Sequence, residues 1–148
     1  MTLRDATPAD LAAITAIYAH HVAHGSGTFE EGAPDTAEMA RRMARVQTDG
    51  CAWLVTENDG QLTGFGYYMQ YRDRSAYRFT AEDSIYVRDD VRGQGVGKAL
   101  VAALLDHAAH RGFRQIGVMR AVGMKFGRWV DVVTMQRPLG EADRSLPE

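Results

Sequence analysis

The segment Arg92-Gly93-Gln94-Gly95-Val96-Gly97-Lys98 constrains this chain more than any other. Before it, Asp83-Ser84-Ile85-Tyr86-Val87 reads as a strand; after it, Val96, Leu100, Ala103, Leu104 and His107 recur at helical spacing until Gly112 stops the helix. Three glycines at alternate positions before a helix let backbone N–H groups share one concavity, where the helix dipole also favours negative charge. A tight turn is the plainer reading of an isolated glycine loop. Here Arg92 and the polar-aromatic strand tilt the reading towards a bound pyrophosphate.

Two other phosphate motifs are excluded. A P-loop needs Ser or Thr after its lysine, whereas Lys98 precedes Ala99 and Arg92 stands where that motif's first glycine belongs. A dinucleotide fingerprint lacks its third glycine in either register, since Lys98 or Leu100 falls there, and no repeated βαβ pattern surrounds the turn.

Composition narrows the class further. A chain of 148 residues suffices for one core that buries roughly two thirds of the unfolded surface. Hydrophobic residues at 45% and charged residues at 24% argue for a globular domain. A formal net charge of −2 gives no general attraction for nucleic acid or an anionic membrane, so any phosphate must be held locally. The lone cysteine, Cys51, heads an apolar run and reads as a buried structural thiol. With no signal pattern at the N-terminus and no apolar stretch near the length of a membrane helix, a cytoplasmic location is expected.

The remaining chain alternates helices and strands. A short strand around Leu3 precedes Thr7-Pro8-Ala9-Asp10, a helix start with Pro at the first position, followed by Leu11, Ile14, Ile17 and Tyr18 at helical spacing. Asp35 and Glu38 mark a second start; Met39 and Met43 share a face, and this helix ends before Gly50. Residues 53–57 and 62–69 flank Asn58-Asp59-Gly60 as an antiparallel hairpin. Residues 113–116 and 130–135 read as strands with 117–129 irregular between them, and 140–148 as a polar tail. His20, His21 and His24 read as helix-end residues, because no acidic or cysteine cluster supports a metal. His107 and His110 read as structural or solvent-facing.

Arg92-x-x-Gly95-x-Gly97 at a strand-to-helix junction resembles the acyl-CoA signature of the GNAT superfamily of N-acetyltransferases. The flanking segments Tyr77-Arg78-Phe79-Thr80-Ala81-Glu82-Asp83-Ser84-Ile85-Tyr86-Val87 and Lys125-Phe126-Gly127-Arg128-Trp129-Val130-Asp131 are similar to the phosphinothricin and methionine sulfoximine acetyltransferase branch. The resemblance runs from about residue 3 to 139, including Thr28-Phe29-Glu30-Glu31. It implies one α/β (α+β) domain over 1–148, with a mixed, mostly antiparallel central sheet flanked by helices.

It also implies acetyl-CoA as acyl donor and no metal. The backbone of Ile85, Tyr86 and Val87 would pair with the pantetheine arm, while Arg92, Gly93, Gln94, Gly95, Val96, Gly97 and Lys98 surround the pyrophosphate. An amine attacks a thioester only when unprotonated, so a base must take the ammonium proton. Glu82 matches the family's acidic position for this role. Its neighbour Asp83 would face the other side of the strand. Arg72 and Arg74 are candidates to bind an acceptor carboxylate, with solvated loop arginines an equal reading. By the resemblance Phe29 and Tyr77 wall the acceptor site, and Ser75 and Ala76 belong to the same substrate loop. Residues 123–131 read as a surface hairpin or a subunit contact, and the resemblance favours a contact in a homodimer.

The pattern breaks between Ile116 and Gly117. There the family would carry the rest of a central strand, a loop, a whole helix and the start of the next strand. That helix would supply polar groups to CoA and a histidine near the active site, which have no counterpart in this chain. An internal deletion and a numbering that closes over a segment both fit; the loss of a sheet's buried face favours the second. The expected activity, conditional on that segment, is acetylation of the α-amino group of a small glutamate-like amino acid. Another small amine, a protein N-terminus, or acyl-CoA binding without turnover are the alternatives.

Overall fold

In the computed structural model the alternating runs of the sequence become one six-stranded sheet. The structure describes residues 1–25, 28–125 and 128–136, and the side chains of 121–133 lie outside the described set. In chain order the elements are β1 (Thr2–Asp5), α1 (Leu11–His24), α2 (Thr36–Thr48), β2 (Trp53–Asn58), β3 (Gln61–Gln70), β4 (Thr80–Val87), α3 (Val96–His110), β5 (Arg114–Lys125) and β6 (Arg128–Gln136). The strand order is β1-β2-β3-β4-β6-β5. The mostly antiparallel sheet implied by the resemblance is antiparallel at every described pairing.

Local chemistry sets the element boundaries. Asp35 caps α2, its Oδ1 accepting from Glu38 N–H at 2.7 Å, an interaction whose loss costs about 1 kcal/mol. The β2–β3 turn places Asp59 at φ 50° and Gly60 at φ 77°, the two positive angles a tight hairpin needs. At the end of α3, Phe113 N–H donates to Ala108 O and Gly112 N–H to Ala109 O, both at 2.8 Å, with Gly112 at φ 81°. This paired closure stops the helix and turns the chain back.

Pro8–Asp10 forms a 3₁₀ turn, so α1 proper begins only at Leu11. The Asp10 carboxylate accepts from Thr7 N–H at 2.8 Å and from both Arg4 Nη atoms at 2.8 Å, while Arg4 also reaches Glu57 at 3.0 Å. Arg4 beside it, and then the Thr7 bonds, pull the Asp10 carboxyl down to about 2.

Strand alternation then divides the core. On one face α1 and α2 pack Ile14, Ile17, Tyr18, Met39, Met43 and Val46 against Trp53, Val55, Phe65 and Tyr86. On the other, α3 packs Val96, Leu100, Leu104 and Ala108 against Leu54, Tyr68, Ala81 and Met135. The second face is unusually close. Gly64 and Gly66 stand opposite Val87 and Ile85. A Cβ on Gly64 would lie 2.9 Å from Tyr86 O and 3.1 Å from Val96 Cγ1, and one on Gly66 would lie 3.1 Å from Leu104 Cδ1. Two missing side chains thus admit α3 against the sheet.

The chain after α3 departs from the sequence reading. Residues 117–129, expected to be irregular, are strand wherever they are described, because β5 and β6 pair as one long hairpin. The glycines of this stretch hide the strand period, and the register shifts between Gln115 and Gly117 and between Met119 and Gly123 absorb them. Of the proposed contact segment 123–131, residues 123–125 and 128–131 lie in these two strands with their side chains outside the described set, and the tail 140–148 lies outside the described residues altogether. Among the described residues no helix is long and apolar enough to cross a membrane.

Two outcomes follow for stability. The depressed Asp10 carboxyl contributes stability that is present above its unfolded value near 3.9 and is lost as pH falls through about 2. Asp10→Asn should therefore lose ~2 kcal/mol at neutral pH and flatten the acid decline, as read by urea unfolding between pH 6 and pH 2. Gly64→Ala forces a Cβ against the Tyr86 carbonyl and should cost roughly 1–3 kcal/mol in the same assay.

Candidate functional site

The site begins where two strands part. Along one edge β4 is paired with β3 from Ala81 to Val87. Along the other, β6 pairs only with Thr80, Ala81 and Glu82. Arg88 N–H donates to Thr63 O at 2.9 Å, continuing the β3 ladder. Alternation therefore turns the backbone groups of Asp83, Ile85 and Val87 towards the edge that β6 leaves. Among the described residues no strand pairs with that edge, which offers an extended arm a ladder to join.

The edge leads directly into the glycine turn. A 3₁₀ turn over Asp89–Val91 is followed by Gly93 at φ 78° and Gly95 at φ 84°, with Gly95 the N-cap of α3. Among the described residues, the chain neighbours apart, no atom lies within 4 Å of where a Cβ would stand on either glycine. No side chain caps the helix, and Ala99 N–H is bonded to Gly95 O at 3.0 Å. The N–H groups of Val96, Gly97 and Lys98 precede that bond and have no intrahelical acceptor. Open space and uncapped donors at one helix end fit a pyrophosphate. The Arg92 side chain is tied to Asp89 at 2.9 Å, while Gln94 and Lys98 are exposed at the turn.

Glu82 lies inside β4, at the last residue paired with β6, rather than before the strand. The register sets Glu82 opposite Met69 and Asp83 opposite Tyr68. Met69 packs with the α1/α2 core and Tyr68 with the α3 core, so the two carboxylates point to opposite faces as alternation requires. Burial raises the Glu82 carboxyl above its ordinary range; Arg72 opposes this, and Asp83 adds to it. Burial also raises Asp83.

The loop between β3 and β4 starts beside Glu82. Tyr71 N–H donates to Thr80 O at 2.9 Å, and Gln70 Nε2 holds the carbonyls of Arg72 and Arg74. Ser75, Ala76 and Tyr77 form an exposed 3₁₀ turn. Arg72 is exposed and lies over the Tyr71 ring at 4.3 Å, and its charge opposes the effect of burial on the Glu82 carboxyl. Arg74 is exposed in the same loop. Phe29 and Tyr77 are 52% and 40% exposed, which sets both outside the core, and among the described residues no ring contact joins them.

His21 lies in the last turn of α1, as expected of a helix-end histidine, but it is turned inward. His21 is buried and its Nε2 lies 2.8 Å from Val87 O, so a proton on Nε2 donates to the last carbonyl of β4. Burial lowers its pKa and favours the neutral ring. The signal was available: Ile14, Ile17, Tyr18 and His21 share one helical face. His20 and His24 are exposed, their rings tilted against each other with centroids 5.0 Å apart. His107 Nδ1 meets the Tyr68 hydroxyl at 2.9 Å, a structural contact. Cys51 is half-buried, and burial pushes its thiol up. No group of three possible metal ligands occurs among the described residues.

Comparison with known proteins places this geometry. The model of the acetyltransferase (GNAT) family matches residues 14–124. Phosphinothricin N-acetyltransferase of Alcaligenes faecalis is 47% identical over 172 residues, covering 99% of this chain and 87% of the relative. That alignment is longer than the 148-residue chain, so the relative carries residues without a counterpart in this one, as the break after Ile116 leads one to expect. An L-methionine sulfoximine/L-methionine sulfone acetyltransferase of Salmonella typhimurium is 33% identical, covering 95% of this chain and 96% of the relative. The crystal structure of a phosphinothricin acetyltransferase from Sinorhizobium meliloti in complex with AcCoA superposes with a TM-score of 0.76 at 38% identity, covering 99% of this chain and 92% of that one. The sheet that opens beside Glu82 above a glycine turn is thus part of a shared fold, and the chain belongs to the acetyltransferase (GNAT) family.

Proposed function

We propose that this chain is a single N-acetyltransferase domain that transfers acetyl from acetyl-CoA to the α-amino group of a small glutamate-like amino acid of the phosphinothricin or methionine sulfoximine type. The observation that carries this reading is the free edge of β4, running from Glu82 into the glycine turn. The names of the relatives supply the acceptor class.

In this reading the pantetheine arm lies along Ile85, Tyr86 and Val87, and its pyrophosphate meets the N–H groups from Gly93 to Lys98. The thioester then comes to rest near the point where β6 parts from β4, beside Glu82. Glu82 takes the ammonium proton, directly or through one water. The amine nitrogen forms a bond to the thioester carbon, the C–S bond breaks, CoA leaves as thiolate, and the second proton that the nitrogen sheds passes to water or to that thiolate. A carboxyl raised by burial suits this task, because a base stronger than an ordinary carboxylate holds the proton better near neutral pH. Arg72, with Arg74 beside it, receives the acceptor's carboxylate, and Phe29, Ser75, Ala76 and Tyr77 line its side chain. A homodimer in the cytoplasm completes the proposal, with sedimentation of the purified chain as the check on assembly.

Kinetics of variants, a pH profile and an acceptor panel test this reading. Glu82→Gln should lower kcat/KM on the order of 10²-fold or more, and wild-type turnover at neutral pH would remove Glu82 as the base. Because the Glu82 carboxyl is raised, its basic form is lost earlier as pH falls. The acid limb of kcat/KM should therefore lie above the ordinary glutamate value of about 4.3. Arg72→Met removes the opposing charge and should move that limb to still higher pH. Gly95→Val strains a position at φ 84° and should raise the KM for acetyl-CoA roughly tenfold, with a smaller effect on the acceptor KM. A panel of amines distinguishes the acceptor class from other small amines and peptide N-termini.

A further inference from the structure

The 28–31 segment carries Phe29, yet it belongs to no helix or strand, so no backbone ladder fixes it. A side-chain network does so instead. Tyr18 of α1, 3% exposed, places its hydroxyl 3.0 Å from Thr28 Oγ1 and donates to Glu30 Oε1 at 3.1 Å. Glu30 N–H donates to Thr28 Oγ1 at 3.2 Å. Arg42 of α2 donates from Nη1 to Glu30 Oε1 at 2.7 Å and from Nη2 to Oε2 at 3.4 Å, while its Nε is held by Glu38 Oε1 at 2.9 Å. The Tyr18 ring packs edge-on against Tyr86, centroids 4.9 Å apart. One set of contacts therefore runs from near the end of β4 to the loop that bears Phe29.

Stability alone does not account for this arrangement. The Glu30 and Arg42 side chains are 38% and 32% exposed, and ion pairs at such exposure add little to folding. A planar guanidinium with two bonds to one carboxylate fixes direction. A buried hydroxyl on the same carboxylate anchors it to the core. Phe29 itself stays half-exposed, held out by its neighbours on either side.

We infer that Tyr18, Glu30 and Arg42 form a positioning clamp that locks the 28–31 loop and so sets the wall that Phe29 presents to the acceptor. The inference rests on the function proposed above. The clamp acts on acceptor binding and discrimination, and it leaves the acyl donor's contacts untouched.

The test pairs kinetics with hydrogen exchange on the full chain. Arg42→Met should raise the acceptor KM about tenfold with kcat and the acetyl-CoA KM within about twofold of wild type. Arg42→Lys, which keeps the charge but not the planar fork, should fall between. Tyr18→Phe should move the acceptor KM the same way. Arg41→Met, altering only an exposed partner of Glu38, should change none of these. Amide exchange at 28–31 should accelerate roughly tenfold in Arg42→Met while β3 and β4 keep their protection. Unchanged exchange at 28–31 overturns the clamp, and faster exchange with an unchanged acceptor KM overturns its link to the acceptor. A wild-type chain that acetylates no amino acid would count against the proposed function, and the exchange data would still decide the clamp.

Discussion

The approach of α3 to the sheet at Gly64 and Gly66 is the contact on which the rest of the structure depends. With Val96, Leu100 and Leu104 seated over two residues that have no side chain, the N-terminus of α3 is fixed against the end of β4. The glycine turn has no core of its own, since Arg92, Gly93, Gln94 and Gly95 are all exposed. Its position is inherited from the helix behind it and the strand before it. A side chain at Gly64 would displace the helix end and carry the uncapped N–H groups of Val96, Gly97 and Lys98 with it.

The opposite face supports the same strand by a different means. There β4 presents Tyr86 to the aromatic layer of Tyr18 and Phe65, with centroid separations of 4.9 and 5.0 Å. His21 adds a hydrogen bond to Val87 O, at the end of the strand. β4 is therefore gripped on both faces and along one edge, while the stretch of its second edge beyond Glu82 stays clear of β6. A rigid strand with one open edge is well suited to receive an extended ligand, because little ordering is left to occur on binding.

The parts of this fold that were legible in the sequence are those whose physics is local. The Asp35 cap, the Asn58-Asp59-Gly60 turn, the stop at Gly112 and the glycine turn each depend on residues within a few positions. The opposite faces of Glu82 and Asp83 followed from the strand period alone. What was not legible depends on distant partners. His21 finds its acceptor 66 residues away, and Arg4 joins Asp10 to Glu57 across the β1–β2 pair. The β5–β6 hairpin was missed because Gly117 and Gly123 interrupt the alternation, and only pairing with β6 makes 117–125 a strand. Nothing local marks Glu30 and Arg42 as partners; only the folded loop brings Arg42 and the Tyr18 hydroxyl to the Glu30 carboxylate.

The break after Ile116 bears unequally on the two halves of the chemistry. Every group proposed to bind, position or react, from Tyr18 to Lys98, precedes the break, and the strand, helix and loop that position these groups do so too. The break itself falls within β5, which pairs with β6 and not with β4, and β6 meets β4 over only three residues. The chemistry asks more of the base than of an acid at that point. An ammonium cannot attack until its proton is removed, whereas a thiol with a pKa near 8.5 yields a thiolate that departs without prior protonation. In the proposed reading the demanding step falls to Glu82, which precedes the break in the chain.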